Sequence, residues 1–202
     1  MLLRLIDDMN RALDHNCYFA SFAIALTLPD ICGKAKYPNE RSTKKRYIDW
    51  YNEYVGQYEK CPKNEEHPED VEMPYLSGEV VYSLRCSFLH QGNPNIENAK
   101  IDDDACKVNR FTLLIQKKNE FDSYSDTASV TRQGADPKAM EETERCYEVN
   151  IRRLCLVVSL CASAYYKKYP EQFDFFNYDI VDLDELYSNY DKAHSMNSRV
   201  TK

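Results

Sequence analysis

The sequence predicts a mainly α-helical bundle with a small β-hairpin insertion around residues 110–128. Apolar residues recur at helical spacing over much of the 202-residue chain, and only five glycines interrupt them. One stretch, residues 110–116, instead has the β-branched and aromatic content of a strand, with a turn and a weaker partner strand near residues 121–127 after it. A chain of this length builds one core, so we expect one domain over residues 1–190 and a disordered tail over 191–202.

Residues 2–28 are predicted to be helical, with a break near residues 14–16. Their apolar residues repeat at helical spacing: Leu2, Ile6, Met9, Leu13, then Phe19, Ala20, Ala23, Ile24 and Leu28. We expect Pro29 to end this helix, because proline lacks the N–H that a helix interior needs. Asp30 would then cap a short turn that reaches Gly33.

A basic segment and an aromatic helix come next. The cations of the segment are Lys34, Lys36, Arg41, Lys44, Lys45 and Arg46. This segment is either a solvated loop that balances an acidic chain or a source of phosphate-binding charge beside a later helix. Residues 46–57 are predicted to form a helix whose aromatic rings either pack in the core or stack on bases.

Residues 77–93 form the most informative part of the chain. Ser77 is a typical N-cap, and Gly92 followed by Pro94 is a strong helix stop. One side of this helix is apolar: Val80, Val81, Leu84 and Phe88. The other side carries the polar and reactive side chains, together with one leucine: Glu79, Tyr82, Arg85, Cys86, Leu89 and His90. On a regular α-helix Arg85 and His90 are about 140° apart, so we expect them to flank a shared face.

The last third of the chain is predicted to be helical. Asp136 and Pro137 are typical of a helix N-terminus, and the helix is expected to run to about Lys168. Its second half is apolar almost all round, as in a central helix or one that is shared with a dimer partner. Residues 173–190 are acidic and aromatic and are predicted to form a short helix.

Charge, cysteine spacing and hydrophobicity bear on which classes of function are expected. The net charge of −7 counts against a general nucleic-acid binder, although a local basic pocket would still allow RNA binding. The eight cysteines form no C-x2-C pair, and Cys61 with His67 lacks a second pair of ligands, so we expect no metal and no cofactor. No signal-type or membrane-spanning segment is evident, which predicts a cytoplasmic protein that is not in a membrane.

The Arg85 to His90 spacing resembles the R-x4–6-H motif of the HEPN superfamily. The His-x-Gly ending from His90 to Gly92 and the position between long helical segments strengthen this resemblance. The residue after the arginine is usually Asn, Asp or His in active members and is Cys86 here. The resemblance covers most of the chain by architecture but only the motif segment by sequence.

This resemblance implies a HEPN-like helical bundle and a metal-independent endoribonuclease with a toxin or defence role. RNA would be cleaved by 2′-hydroxyl attack in an Arg/His cleft between the motif helices of a homodimer. Arg85 and His90 would be catalytic, and Glu79, Tyr82 and Cys86 would support them or contact RNA. The partners would be a second copy of the chain, RNA and an antitoxin protein, and no cofactor would be needed.

Two alternatives stay open from the sequence. One is a non-catalytic HEPN-type module that binds RNA, a nucleotide or a protein partner. The other is purely structural: Arg85 forms a salt bridge to Glu79 or to a neighbouring helix, and His90 is satisfied near a helix end. On the same helix, Gly78 is expected to let a partner helix approach closely.

Overall fold

The computed structural model describes residues 1–59, 76–93, 95, 108–115, 127–132 and 142–190, with residues 127–132 and 142–145 described by backbone only. The described chain is mainly helical. Its helices are α1 Leu2–Asp14, α2 Tyr18–Lys36, α3 Thr43–Tyr54, α4 Gly78–Cys86 and α5 Ile151–Lys168. Its strands are β1 Arg110–Leu114, β2 Thr127–Arg132 and β3 Glu142–Asn150. Short 3₁₀ helices cover Gly56–Tyr58 and Pro170–Phe173, and a π-helix covers Ser87–Gln91.

The central helix of the bundle is α2, which packs against α1, α3 and α5 and, over a smaller area, against α4. Its apolar residues point in several directions and are nearly inaccessible to solvent: Phe22, Ala25, Leu26, Leu28 and Cys32. The sequence predicted that the helix that became α5 is either central or shared with a dimer partner. In the structure α5 is covered on one side only, because Leu156 and Leu160 on its other side are exposed.

The predicted break in the first helical region is confirmed, but the predicted stop at Pro29 is wrong. The chain breaks between α1 and α2, where Asn16 has a positive φ of 59°. Helix α2 then continues through Pro29 to Lys36. A proline inside a helix costs about 3 kcal/mol. Leu28 and Cys32, on either side of the proline, are fully buried, and their burial offsets this cost. Burying a large apolar side chain such as that of Leu28 stabilises a fold by roughly 1.5–3 kcal/mol.

The close packing of α2 on α3 depends on Gly33. A Cβ atom at Gly33 would lie 2.6 Å from the backbone oxygen of Arg46. The predicted basic loop, residues 34–46, is helical at both ends, because α2 continues to Lys36 and α3 begins at Thr43 instead of residue 46. Ser42 caps α3, since its hydroxyl accepts a hydrogen bond from the Lys45 backbone N–H at 3.2 Å.

The β-structure differs from the predicted hairpin. Residues 110–114 do form a strand, but β1 pairs in parallel with β3, and β2 pairs antiparallel with the other edge of β3. The sheet order is β1-β3-β2, with Phe111 opposite Tyr147. The partner strand was predicted near residues 121–127, of which only Thr127 is described, as the first residue of β2.

Strand β3 occupies residues that were predicted to be helical. The long helix starts at Ile151, and the side chain of Asn150 caps it by accepting a hydrogen bond from the Arg153 backbone N–H at 3.1 Å. Pairing on both edges overrides the helical preference of the glutamate-rich 142–148 stretch, because strand formation depends on neighbours more than on local propensity. Asp136 and Pro137 lie outside the described residues.

The chain after Phe173 follows the predicted pattern in part. Residues 183–190 are helical, as the sequence predicted for this region, and the tail over 191–202 lies outside the described residues. Within the ranges given above, no helix is both long enough and apolar enough to cross a membrane.

Candidate functional site

The predicted motif helix consists of α4 and the π-helix that continues it. Ser77 caps α4 as expected, since its hydroxyl accepts a hydrogen bond from the Val80 N–H at 3.3 Å. The predicted apolar face is confirmed by the burial of Val80, Val81 and Leu84. Gly92 ends the helix in the left-handed conformation with a φ of 61°, as the sequence predicts for a glycine stop.

The start of α4 is fixed on α3 of the same chain. The Gly78 N–H donates a hydrogen bond to the side-chain oxygen of Asn52 at 2.7 Å. A Cβ at Gly78 would lie 2.8 Å from the backbone oxygen of Ile48. Gly78 thus allows a close helix approach, as expected, but the helix that approaches is α3 and not a partner helix.

The π-helix brings His90 next to Arg85. Its defining hydrogen bond runs from the Gly92 N–H to the Ser87 carbonyl at 2.9 Å, five residues back along the chain. Because a π turn holds more residues than an α turn, His90 returns to the side of the helix from which Arg85 projects. Arg85 Nη1 lies 3.0 Å from His90 Nε2. The predicted 140° separation assumed a regular α-helix, and in the structure the two side chains are in direct contact.

Asp30 on α2 holds the other edge of the Arg85 guanidinium. Its Oδ2 accepts hydrogen bonds from Arg85 Nε at 3.0 Å and from Nη2 at 2.9 Å. Both side chains are largely covered, with 18% of Asp30 and 20% of Arg85 exposed. The side chains of Asp30, Arg85 and His90 thus lie in a row of hydrogen-bonded groups. Within this row, Nη1 is the guanidinium nitrogen that faces His90.

Sequence reasoning missed Asp30 because it ended the helix before Pro29, whereas α2 continues to Lys36. Once α2 is continuous, Asp30 is a carboxylate inside an apolar helix, which is a position where charge needs a partner. The structural alternative for Arg85 was a salt bridge to Glu79 or to a neighbouring helix. The salt bridge exists, and its partner is Asp30 on the neighbouring helix.

Burial shapes the electrostatics of this ion pair. It raises the pKa of Asp30 above its ordinary value, and the attraction of Arg85 does not fully reverse this rise. Burial alone would lower the pKa of Arg85, but Asp30 and Cys86 outweigh that effect and raise it, so the guanidinium stays charged. The second oxygen of Asp30, Oδ1, is buried and has no hydrogen-bond partner among the described residues.

The contact with Arg85 determines which nitrogen of the His90 ring faces the guanidinium. A guanidinium has only donors, so Nε2 of His90 is the acceptor in this hydrogen bond, which matches the tautomer with its proton on Nδ1. The side chain is exposed at the end of the helix, where a substrate can reach it.

Of the remaining predicted site residues, Tyr82 and Cys86 adjoin the pair and Glu79 does not. The Tyr82 ring centroid lies 5.9 Å from the guanidinium carbon of Arg85, and the Cys86 sulfur lies 3.9 Å from Nη1. Burial and, next, Cys86 raise the pKa of Tyr82. Glu79 is in the first turn of α4, roughly 9 Å before Arg85 along the helix axis.

The basic segment contributes less charge to the site than the sequence allowed. Lys45 forms an ion pair with Asp49 at 2.7 Å, and Lys36 forms one with Glu53. Arg46 is near enough to Asp30 to lower its pKa somewhat, so it adds positive charge behind the ion pair. Two of the six cations of this segment are thus already paired with carboxylates.

No group of three or more metal-binding side chains occurs within the described ranges. Cys61 and His67, the pair with ligand-like spacing, lie outside those ranges. No protein-family model matches the chain, and no match is found among curated proteins or solved structures. The support for a function therefore comes from the geometry around Arg85 and His90.

Proposed function

We propose that this protein is a metal-independent endoribonuclease of the HEPN type, with Arg85 and His90 as its catalytic residues. The observation that carries the proposal is the 3.0 Å contact between Arg85 Nη1 and His90 Nε2 at an exposed helix end. It places a phosphate-binding cation beside an imidazole nitrogen that can act as a proton acceptor.

The chemistry follows from these two groups. A bound phosphate takes Nη1 of Arg85 and releases Nε2 of His90, which accepts the proton of the neighbouring 2′-hydroxyl. The 2′-oxygen forms a bond to phosphorus while the bond to the 5′-oxygen breaks, and Arg85 stabilises the added negative charge. The products are a 2′,3′-cyclic phosphate and a 5′-hydroxyl.

The departing 5′-oxygen needs a proton, and this requirement favours a homodimer. His15, the other histidine of the described ranges, binds the Arg11 carbonyl at 2.8 Å at the end of α1. We propose that this proton comes from the protonated imidazole of His90 in a second copy, which is brought near by pairing of the two motif helices and becomes neutral as the 5′-hydroxyl leaves. An antitoxin protein would restrain this activity in the cytoplasm.

The decisive experiment is RNA cleavage by the purified chain in the presence of EDTA. We expect products that end in 2′,3′-cyclic phosphate, and at least a roughly 100-fold lower rate for His90→Ala and Arg85→Ala. His15→Ala is the matched control, because it removes an exposed imidazole that is bound to the Arg11 carbonyl and not to Arg85. The absence of cleavage, or equal cleavage by His90→Ala, contradicts the proposal.

A second candidate is a module that binds RNA without cutting it. One observation favours it: the Asp30 carboxylate balances the charge of Arg85, which weakens its attraction for phosphate. RNA binding that depends on Arg85, with intact RNA after prolonged incubation at high protein concentration, would support this candidate over the nuclease.

A further inference from the structure

Helix α5 carries an apolar stripe on its exposed side. Leu156 is 52% exposed, and Leu160, one helical turn further, is 61% exposed. Ala164 continues this stripe by another turn, and Lys167 ends it with a positive charge. These four residues form the outer face of α5. Its exposed leucines, followed by a small residue, offer a surface on which a second helix can pack.

The C-terminal helix, residues 183–190, has a matching apolar stripe. Asp182 caps this helix, since its side chain accepts hydrogen bonds from the backbone N–H groups of Asp184 at 3.0 Å and Glu185 at 3.1 Å. Its apolar residues recur at positions i, i+3, i+4 and i+7, all on one side and all more than half exposed: Leu183, Leu186, Tyr187 and Tyr190. A short amphipathic helix of this kind binds by laying its apolar side on another apolar surface.

The two stripes are bordered by opposite charges. The chain from residue 177 to residue 190 has no lysine or arginine, and its charged side chains are Asp179, Asp182, Asp184 and Glu185. The outer face of α5 ends with Lys167, and the neighbouring Lys168 is also exposed. Opposite charges around an apolar contact favour the C-terminal helix on α5, whereas two C-terminal helices would bring carboxylates together.

The two stripes do not cover each other within one chain. Phe173 and Phe176 pack against the body and hold the start of the C-terminal segment near the end of α5. Residues 177–182 span at most about 20 Å when extended, so the outer face of the same chain is within reach. Both stripes are nevertheless exposed at the same time. The surface that covers each of them therefore belongs to another molecule.

We propose that the C-terminal helix of one copy packs on the outer face of α5 in a second copy. Each copy carries both surfaces, so a two-fold axis forms the contact twice. This contact accounts for the apolar second half of α5, which the sequence assigned to a central helix or to one shared with a dimer partner. The contact is small, and we expect a Kd on the order of 10 µM or weaker, so the dilute chain is largely free of it.

The test uses two full-length variants, each of which lacks one of the two surfaces. Leu160→Asp disrupts the outer face of α5 and keeps the C-terminal helix, and Leu186→Asp does the reverse. Fluorescence anisotropy measures the binding of labelled Leu160→Asp to unlabelled Leu186→Asp and, separately, to unlabelled Leu160→Asp. We expect the mixed pair to bind at least roughly 10-fold more tightly, because it can form one complete contact and the like pair cannot. Circular dichroism verifies that both variants are folded.

Two further changes are made in the Leu186→Asp chain, which supplies α5 to the mixed pair. Lys167→Glu should weaken binding by roughly 2- to 10-fold, because it reverses a charge that faces the carboxylates of the C-terminal helix. Ile115→Asp is the matched control for a new surface carboxylate, since Ile115 is 51% exposed and follows β1. It should leave the binding of the mixed pair unchanged.

The inference is independent of the ribonuclease proposal, because pairing of the motif helices would affect the mixed and like pairs equally. Equal binding of the two pairs overturns the contact and leaves the ribonuclease unaffected. That result is also expected if the C-terminal helix folds back on its own chain or binds a different protein. A mixed pair that Lys167→Glu does not weaken, or that Ile115→Asp weakens as much, overturns the assignment to α5.

Discussion

At the scale of single residues, Asp30 determines where Arg85 points. Two of the guanidinium nitrogens bind one carboxylate oxygen, and the third nitrogen faces His90. An unrestrained arginine loses up to about 2 kcal/mol of side-chain entropy when a ligand fixes it. The ion pair removes part of that cost before the substrate arrives.

We therefore expect Asp30→Ala to lower the rate of RNA cleavage by roughly 100-fold, because small misplacements of a catalytic group have effects of this size. A further loss of about 1–2 kcal/mol in the free energy of unfolding is expected, since Arg85 loses its partner. The ¹⁵N shifts of the His90 ring give a readout that is independent of activity. In the parent protein they should show the proton on Nδ1, and in the variant a mixture of the two tautomers.

Asp49→Asn is the control for Asp30, because it removes a carboxylate from a surface ion pair with Lys45. It should change neither the cleavage rate nor the His90 shifts. If Asp30→Ala loses stability but keeps both the rate and the tautomer, then Asp30 has only a structural role.

Local sequence identified Arg85, His90, Tyr82 and Cys86 as neighbours because all four belong to one helical segment. It could not identify Asp30, which is 55 residues away in sequence and reaches Arg85 only through the packing of α2. It also placed Glu79 with the pair, because a helical projection shows the angle between residues but not the distance along the axis.

At the scale of elements, two helices depart from the regular pattern. Helix α2 continues through a proline, and α4 continues into a π turn. Local rules predict neither event, because each is decided by what the helix packs against. The same holds for β3, whose strand conformation depends on partners that precede it in sequence. The helical class, the Ser77 cap and the Gly92 stop were predictable because they depend on local residues.

Because α2 and α3 are in close contact, we expect Gly33→Ala to change the free energy of unfolding in the direction opposite to the one that helix propensity predicts. Gly33→Ala should stabilise an isolated helix by about 1 kcal/mol. Here we expect it to lower the free energy of unfolding by roughly 1–3 kcal/mol, because the new methyl group would meet the Arg46 backbone at 2.6 Å. Urea denaturation measures the change.

Gly56→Ala serves as the control for Gly33. The nearest atoms to a Cβ at Gly56 are 3.6 Å and 3.7 Å away, so the methyl group fits without movement. We expect its stability to remain within about 0.5 kcal/mol of the parent protein. A stabilising effect of Gly33→Ala would mean that the two helices can move apart at little cost.

At the scale of the whole molecule, the chain divides into a packed body and an uncovered C-terminal segment. Phe173 is buried and contacts the rings of Tyr165 and Tyr166. After residue 176 the large apolar side chains are all more than half exposed: Tyr178, Ile180, Val181, Leu183, Leu186, Tyr187 and Tyr190. The described body therefore owes little of its stability to this segment.

A chain that ends at Phe176 should consequently unfold at the same temperature as the full chain, because no side chain is buried among the described residues 177–190. Phe173→Ala in the full chain is the contrasting variant and should cost about 3 kcal/mol. Thermal unfolding followed by circular dichroism measures both. A large drop in unfolding temperature on truncation would show that residues beyond 176 pack against the body or against a second copy.

The central position of α2 also affects how the protein folds during synthesis. Cys32 on α2 is fully buried, and α2 packs closely against α5. That side of α2 therefore stays uncovered until α5, which ends at Lys168, has left the ribosome. At about 5–20 residues per second, the delay is roughly ten seconds. During this time the nascent chain presents an apolar helix face, so we expect it to be a substrate for ribosome-associated chaperones.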